Sequence, residues 1–229
     1  MSKIINLPSL VDIKSMVTVP LRYVATDLEY VRDSFNRKFC VSEICFWDIE
    51  SNKKIFKTLI RPDENFTLSK RLKDRGITYD HLLSAPSMAE LDQHLKFLLP
   101  SCILVFWNED YDLKQYPALK HYSYATRCCM RRFSERHGTY NFSFGDHSYM
   151  KLKDACLQAG FSLESHESFH EAQTDARATS FLWNQLNQES LPEPINMDLI
   201  LRSDVDHLLE KKDLEDDDLI DGNEVLAPF

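Results

Sequence analysis

The stretch "RYVATDLEYV", residues 22–31, has the composition of a buried strand, with Tyr23, Val24 and Ala25 leading into Leu28. It also carries Asp27 and Glu29. Side chains two apart on a strand point to the same face, so two carboxylates stand side by side where a core should begin. Like charges that close repel unless something neutralises them. The stretch therefore predicts a strand running out of a core into a site for a positive partner.

Working outward, "KFCVSEICFWDI" (38–49) and "KKIFKTLIRP" (53–62) are rich in β-branched and aromatic residues, with "ESN" between them as a turn. Three strands in succession predict an antiparallel meander. In "SMAELDQHLKFLLP" (87–100), Ser87 and Glu90 form a capping box, Met88, Leu91, Leu95 and Leu98 keep helical spacing, and Pro100 is a stop. "CILVFW" (102–107) is the short apolar run of a buried parallel strand. "DLKQYPALK" reads as a short helix interrupted by Pro117, "YSYAT" (122–126) as a further strand, and a basic helix follows. "YMKLKDACLQAG" (149–160) predicts a helix ended by Gly160. "HEAQTDARATSFLWNQL" (170–186) predicts another, with Ala172, Ala176, Thr179 and Trp183 on one stripe. The succession β-β-β-α-β-α-β-α-α predicts an α/β fold, a mixed sheet covered by helices on both faces.

At 229 residues, with 43% hydrophobic and 28% charged content, the chain is long and apolar enough for one substantial core. Its 5 glycines exclude collagen-like architecture. The six cysteines (Cys40, Cys45, Cys102, Cys128, Cys129 and Cys156) lie mostly in apolar runs without a C-x-x-C pair. Reduced, buried thiols in a cytoplasmic protein are expected, and zinc is not indicated. The first residues, "MSKIINLPSLVDIKSMVTVP", are broken by Asp12, Lys14 and two prolines. Neither they nor any later run has the roughly 18 apolar residues of a membrane span, so no membrane is expected as a partner. The net charge of −9 is uneven. Residues 187–229 hold 3 basic and 13 acidic residues, which leaves 24 basic against 23 acidic in residues 1–186. A near-neutral body with an acidic tail is expected, and the overall charge says little about what the body binds.

Acids stand beside apolar strands or helix starts in three separated places: Asp27 and Glu29, "WNEDYD" (107–112) and "HEAQTD" (170–175). Mg²⁺ and Mn²⁺ prefer hard oxygen ligands, and two such ions about 3.5–4 Å apart form a clamp for in-line attack on a phosphodiester. Two divalent ions, Mg²⁺ or Mn²⁺, are the neutraliser this pattern calls for.

The pattern resembles the DnaQ-like, DEDDh-type 3′→5′ exonuclease family, whose fold is RNase H-like. Asp27-Leu28-Glu29 is similar to the family's D-x-E motif, "NEDYD" to N-x-x-F/Y-D, and "HEAQTDA" to H-x-A-x-x-D. The segment "LIRPDENFTLSKRLKDRGITYDHLLSAPSMAEL" is similar to the family's connection from third strand to second helix. The resemblance covers about residues 20–186 and implies an exonuclease domain over 1–186 and a tail over 187–229. It implies metal ligation by Asp27, Glu29, Asp112 and Asp175, with His170 taking a proton from the attacking water. Asp110, the rival to Asp112, reads as a helix cap. The implied activity is release of 5′-mononucleotides from a single-stranded 3′ end, DNA ahead of RNA. The alternative from another class is a non-catalytic nucleic-acid-binding or scaffold protein that keeps the fold. Family members often dimerise, so a homodimer is among the implied partners.

Candidates for contact with the strand are Leu28 and Tyr30 beside the acids, Asn108, and Arg131 and Arg132. The last two belong to a basic cluster with Arg127 and Arg136, followed by Tyr140, Phe142 and Phe144; interleaved bases and aromatics of this kind track single strands. The sequence departs from the family where small residues such as Thr-Thr-Gly usually follow D-x-E; here Tyr30-Val31-Arg32 follow, and Trp107 precedes Asn108 where His is frequent. In the tail, a Pro-bearing linker precedes "MDLILRSDVDHLLEKK", which has an amphipathic pattern, and an acidic run closes on Pro228-Phe229. That ending resembles the acidic, Pro-Phe-terminated tip of bacterial single-stranded-DNA-binding proteins and implies docking of a replication or repair protein through Pro228 and Phe229. A solubilising or autoinhibitory tail is the other expectation.

Overall fold

The computed structural model describes residues 18–34, 38–62, 65–138, 140–143, 145–186 and 195–196. The expected tail helix, the acidic run and Pro228-Phe229 lie outside the described residues. The chain divides into two units. In one, Thr18–Val19 pairs antiparallel with Ile195–Asn196, so two residues of the expected linker are extended. The other, Pro20–Glu193, carries everything that follows.

Its sheet is built on β1 (Arg22–Asp33), β2 (Phe39–Asp48) and β3 (Lys53–Leu59), an antiparallel meander. The β2–β3 turn is held by Asn52 at φ 50°, a conformation asparagine tolerates, and by Ser51 N–H donating to Asp48 Oδ1 at 2.7 Å. β4 (Phe66–Thr67) pairs with the far end of β1. After α1 (Lys70–Asp74), α2 (Tyr79–Leu83) and α3 (Met88–Leu98) comes β5 (Cys102–Phe106), parallel to β1. Then come α4 (Glu109–Gln115), α5 (Ala118–Tyr122), and β6 (Ala125–Cys128), parallel to β5. The strand order β3-β2-β1-β5-β6 is the expected RNase H-like mixed sheet. The last helices are α6 (Cys129–His137), α7 (Leu152–Ala159) and α8 (Ala172–Gln185).

Two expectations shift. The capping box of α3 is present in both directions at Ser87 and Glu90, but the interrupted helix around Pro117 is two helices. Proline has no N–H to give the first of them, and its fixed φ suits the start of the second. The strand expected at 122–126 lies at 125–128, because Tyr122 ends α5 and the parallel register with β5 begins at Ala125.

Alternation along β1 divides the core. Val24 and Leu28 face α3 and α5 with Phe46, Leu95, Leu104 and Leu119. Tyr23 and Ala25 face α6, α7 and α8 with Trp47, Val105, Phe133, Cys156 and Trp183. The α8 stripe of Ala172, Ala176, Thr179 and Trp183 is wholly buried, its small residues bringing the helix close to β1. All six cysteines are free. Trp183→Ala removes the largest fully buried side chain and is expected to cost about 3–5 kcal/mol in urea unfolding; a loss below about 1 kcal/mol would show that this ring does not hold α8 to the sheet.

Candidate active site

The register of the parallel strands sets where the acids meet. β5 ends at Phe106, opposite Thr26, so the chain leaves the sheet beside Asp27, at the carboxyl ends of parallel strands where α/β folds place ligands. Asn108 caps α4 there, its side chain accepting from Tyr111 N–H, and Asp112 follows in the next turn. Asp27 and Glu29 continue the face of Tyr23 and Ala25, the face covered by α8. A bulge between Glu29 and Tyr30 then shifts the register with β2. Asp175 comes from the first turn of α8.

Asp27, Glu29, Asp112, His170 and Asp175 line one cavity of about 620 Å³. Tyr30 O–H donates to Asp112 Oδ1 at 2.7 Å. His170 stands at φ 69°, a left-handed conformation rare for a non-glycine residue. This turns its backbone N–H onto Asp175, which accepts at 3.3 Å (Oδ1) and 3.1 Å (Oδ2). Glu29, His170 and Asp175 each offer a ligand atom within 4.8 Å of the others.

Beneath them lies an ion-pair network. Glu43, opposite Glu29 in the register, is fully buried and held by both Arg75 nitrogens at 2.7 and 2.8 Å, with Lys57 at 3.2 Å. Lys57 also reaches Glu171 at 2.6 Å. The network neutralises Glu43 next to the acids and ties the start of α8 to β2 and β3.

The acids themselves are less well neutralised. Asp27 Oδ2 is buried and has no hydrogen-bond partner among the described residues. Burial first, then the charges of Asp175, Glu29, Asp112 and Glu43, raise the Asp27 pKa well above the usual carboxylate value. Burial and Asp175 push Glu29 to about 8. Burial pushes Asp112 to about 7 against the Tyr30 hydrogen bond, and Asp175 to about 7 against the His170 N–H. Burial, with Arg71 and Lys153, lowers His170. An orphaned buried oxygen among crowded hard-oxygen donors fits a divalent cation of the Mg²⁺ or Mn²⁺ kind.

Leu28, Tyr30 and Asn108 line the cavity, whereas Arg131 and Arg132 are not among its lining residues. Arg131 pairs with Asp110 at 3.1 Å, and the Arg132 guanidinium lies over the Trp183 ring at 4.9 Å, occupied by the core. Asp110 is largely exposed. Sequence reading missed Phe39, Arg71, Tyr111, Tyr149 and Lys151 in the lining, and the Glu43–Arg75–Lys57–Glu171 network. The basic run "KRLKDR" (70–75) was the one signal for Arg71 and Arg75. The network residues come from four elements and share no local motif.

No family model and no curated protein matches the sequence. Solved structures are similar. Over 86% of this chain the fold is that of part of the Saccharomyces cerevisiae apo Pan2 pseudoubiquitin hydrolase-RNA exonuclease module. The complex with A7 RNA gives 13% identity and a TM-score of 0.52, and the complex with AAUUAA RNA 12% and 0.51. The match takes in 33% of that chain, so this chain spans about a third of the length of the module. At this identity the likeness is one of fold.

Each raised carboxylate holds its proton more tightly in the folded chain than in the unfolded one. The folded chain then binds more protons between about pH 4 and about pH 8, and stability falls as pH rises through that window. His170, lowered, works the other way, one group against four. Without divalent ions the melting temperature is expected to fall from about pH 5.5 to about pH 8, less steeply in Asp27→Asn. Mn²⁺ is expected to raise it more at the higher pH. A melting temperature that climbs over this range in both proteins would contradict the site's electrostatics. Arg75→Met, which leaves the buried Glu43 with Lys57 alone, is expected to cost about 3 kcal/mol in urea unfolding.

Proposed function

We propose that the protein is a divalent-ion-dependent 3′→5′ exonuclease of the DEDDh type, releasing 5′-mononucleotides from single-stranded nucleic acid. The observation that carries this reading is the meeting of Asp27, Glu29, Asp112, Asp175 and His170 in one cleft, where β5 ends beside the middle of β1. Asp27, Glu29 and Asp175 would hold one ion and Asp112 would complete the site. When bound, the ions supply positive charge for the attacked phosphate and the leaving 3′ oxygen.

The chain's own residues do the rest. His170 is open to the cleft, and its lowered pKa keeps the ring neutral near pH 7 and able to accept the proton of the attacking water. Tyr30 fixes the Asp112 carboxylate; burial and Asp112 raise its phenol, so it stays a donor. Its ring meets Tyr111 edge-on at 5.3 Å and Phe39 at 6.2 Å, an aromatic wall that offers a stacking surface to the terminal base. The wall replaces the small residues that usually follow D-x-E. It also favours the second reading, a binding protein that keeps the fold, because the Tyr30 hydroxyl occupies an Asp112 oxygen an ion would use. The structural neighbours named above are complexes with RNA, so RNA and DNA strands are to be assayed together.

Asp27→Ala is expected to abolish Mn²⁺-dependent shortening of a 5′-labelled single strand without loss of the folded circular-dichroism spectrum. His170→Ala is expected to lower kcat by about 10²–10⁴ while calorimetry shows Mn²⁺ binding retained. Loss of Mn²⁺ binding in His170→Ala would make the imidazole a ligand instead of the base. A wild-type protein that cuts neither RNA nor DNA would favour the second reading.

A further inference from the structure

Between α6 and α7 the chain forms a short hairpin, β7 (Tyr140–Asn141) with β8 (Asp146–His147). Its turn is fixed by its own bonds. Asn141 Oδ1 accepts from Ser143 N–H at 3.0 Å, and Gly145 N–H donates to Asn141 O at 3.0 Å. Gly145 stands at φ +66°, which glycine adopts without a steric penalty. What this fixed turn holds out is aromatic: Phe142 is 89% exposed and Tyr140 43%. Phe142 meets Tyr140 edge-on at 5.0 Å, and Tyr140 meets His147 at 5.2 Å. A lone exposed ring needs no explanation, but exposed rings in contact with one another form a surface.

The hairpin is tied to the cleft through Asp146. Tyr149 follows β8, donates its hydroxyl to Asp146 Oδ2 at 2.9 Å, and lines the cavity that holds the carboxylates. Cations accompany the path: Lys151 lines the same cavity and the exposed Arg131 lies beside Tyr149. Asp110 and Asp146 share Arg131's charge. We infer that Tyr140 and Phe142, on a hairpin that Asp146 and Tyr149 tie to the cleft, stack the bases of a single strand upstream of the nucleotide seated among the carboxylates. The inference rests on the nuclease reading of the cleft. Every base has a π-face, so such a surface gives preference for length and tolerance of sequence.

The test is fluorescence anisotropy with the full chain in Ca²⁺, using a 5′-labelled dodecamer and a trinucleotide, as RNA and as DNA, with gels to show the label uncut. Phe142→Ala is expected to bind the dodecamer about tenfold more weakly, with the trinucleotide changed by less than about twofold. Phe142→Tyr, which keeps the ring, is expected to retain dodecamer affinity. Equal dodecamer affinity in wild type and Phe142→Ala would overturn the inference, as would an equal loss on both lengths. A wild-type dimer in sedimentation that Phe142→Ala dissociates would overturn it too, since a second copy would then cover the rings. Binding is read apart from cutting. A length-dependent loss with no cleavage in Mn²⁺ upholds the hairpin and faults the nuclease reading. Cleavage with length-independent binding faults the hairpin alone.

Discussion

Asp27 Oδ2 is buried among carboxylates with no donor reaching it from the described residues, and the arrangement around it follows from that crowding. Two like charges about 5 Å apart at an effective dielectric of about 20 repel by about 3 kcal/mol. Asp27 is crowded by the charges of Asp175, Glu29, Asp112 and Glu43, so ionising all the acids in the bare protein is costly. Either protons stay on them, as the raised pKa values describe, or cations enter. The fold holds the conflict in place instead of relaxing it, because each acid comes from an element anchored elsewhere: β1 in both core layers, α4 behind β5, and α8 on the sheet through Trp183.

The surrounding charges limit the conflict to one spot. Glu43 would add another negative charge under Glu29, but Arg75 and Lys57 answer it at close range. The same lysine holds Glu171, next to His170 in its left-handed turn. The neutralised layer thus sets the position of the groups above it, which face the cleft. Tyr30 does the corresponding work on the other side by holding Asp112.

Much of the sheet was legible because its signals are local. The capping box at Ser87 and Glu90, the apolar run at 102–106 and Gly160 at the end of α7 are each read from a few adjacent residues. The carboxylates were legible as well, since a buried strand carrying two acids contradicts its own composition. The network was not: a salt bridge between Glu43 and Arg75 spans 32 positions and leaves no periodicity. Arg131 and Arg132 part ways instead. Their spacing in a basic cluster suggested a strand-binding face, but a helix presents successive residues in different directions, sending one to Asp110 and the other over Trp183. Tyr140 and Phe142 of that motif reach outward, on a hairpin whose strands are too short to register as a pattern, and Phe144 lies outside the described residues.

The central claim is that the four carboxylates form a seat for divalent cations. Anomalous diffraction from crystals grown with Mn²⁺ at neutral pH tests it most directly. The account requires two peaks in the cleft, about 3.5–4 Å apart, within coordination distance of Asp27, Glu29, Asp112 and Asp175. A cleft without a peak in Mn²⁺ that saturates sites elsewhere on the protein would contradict it.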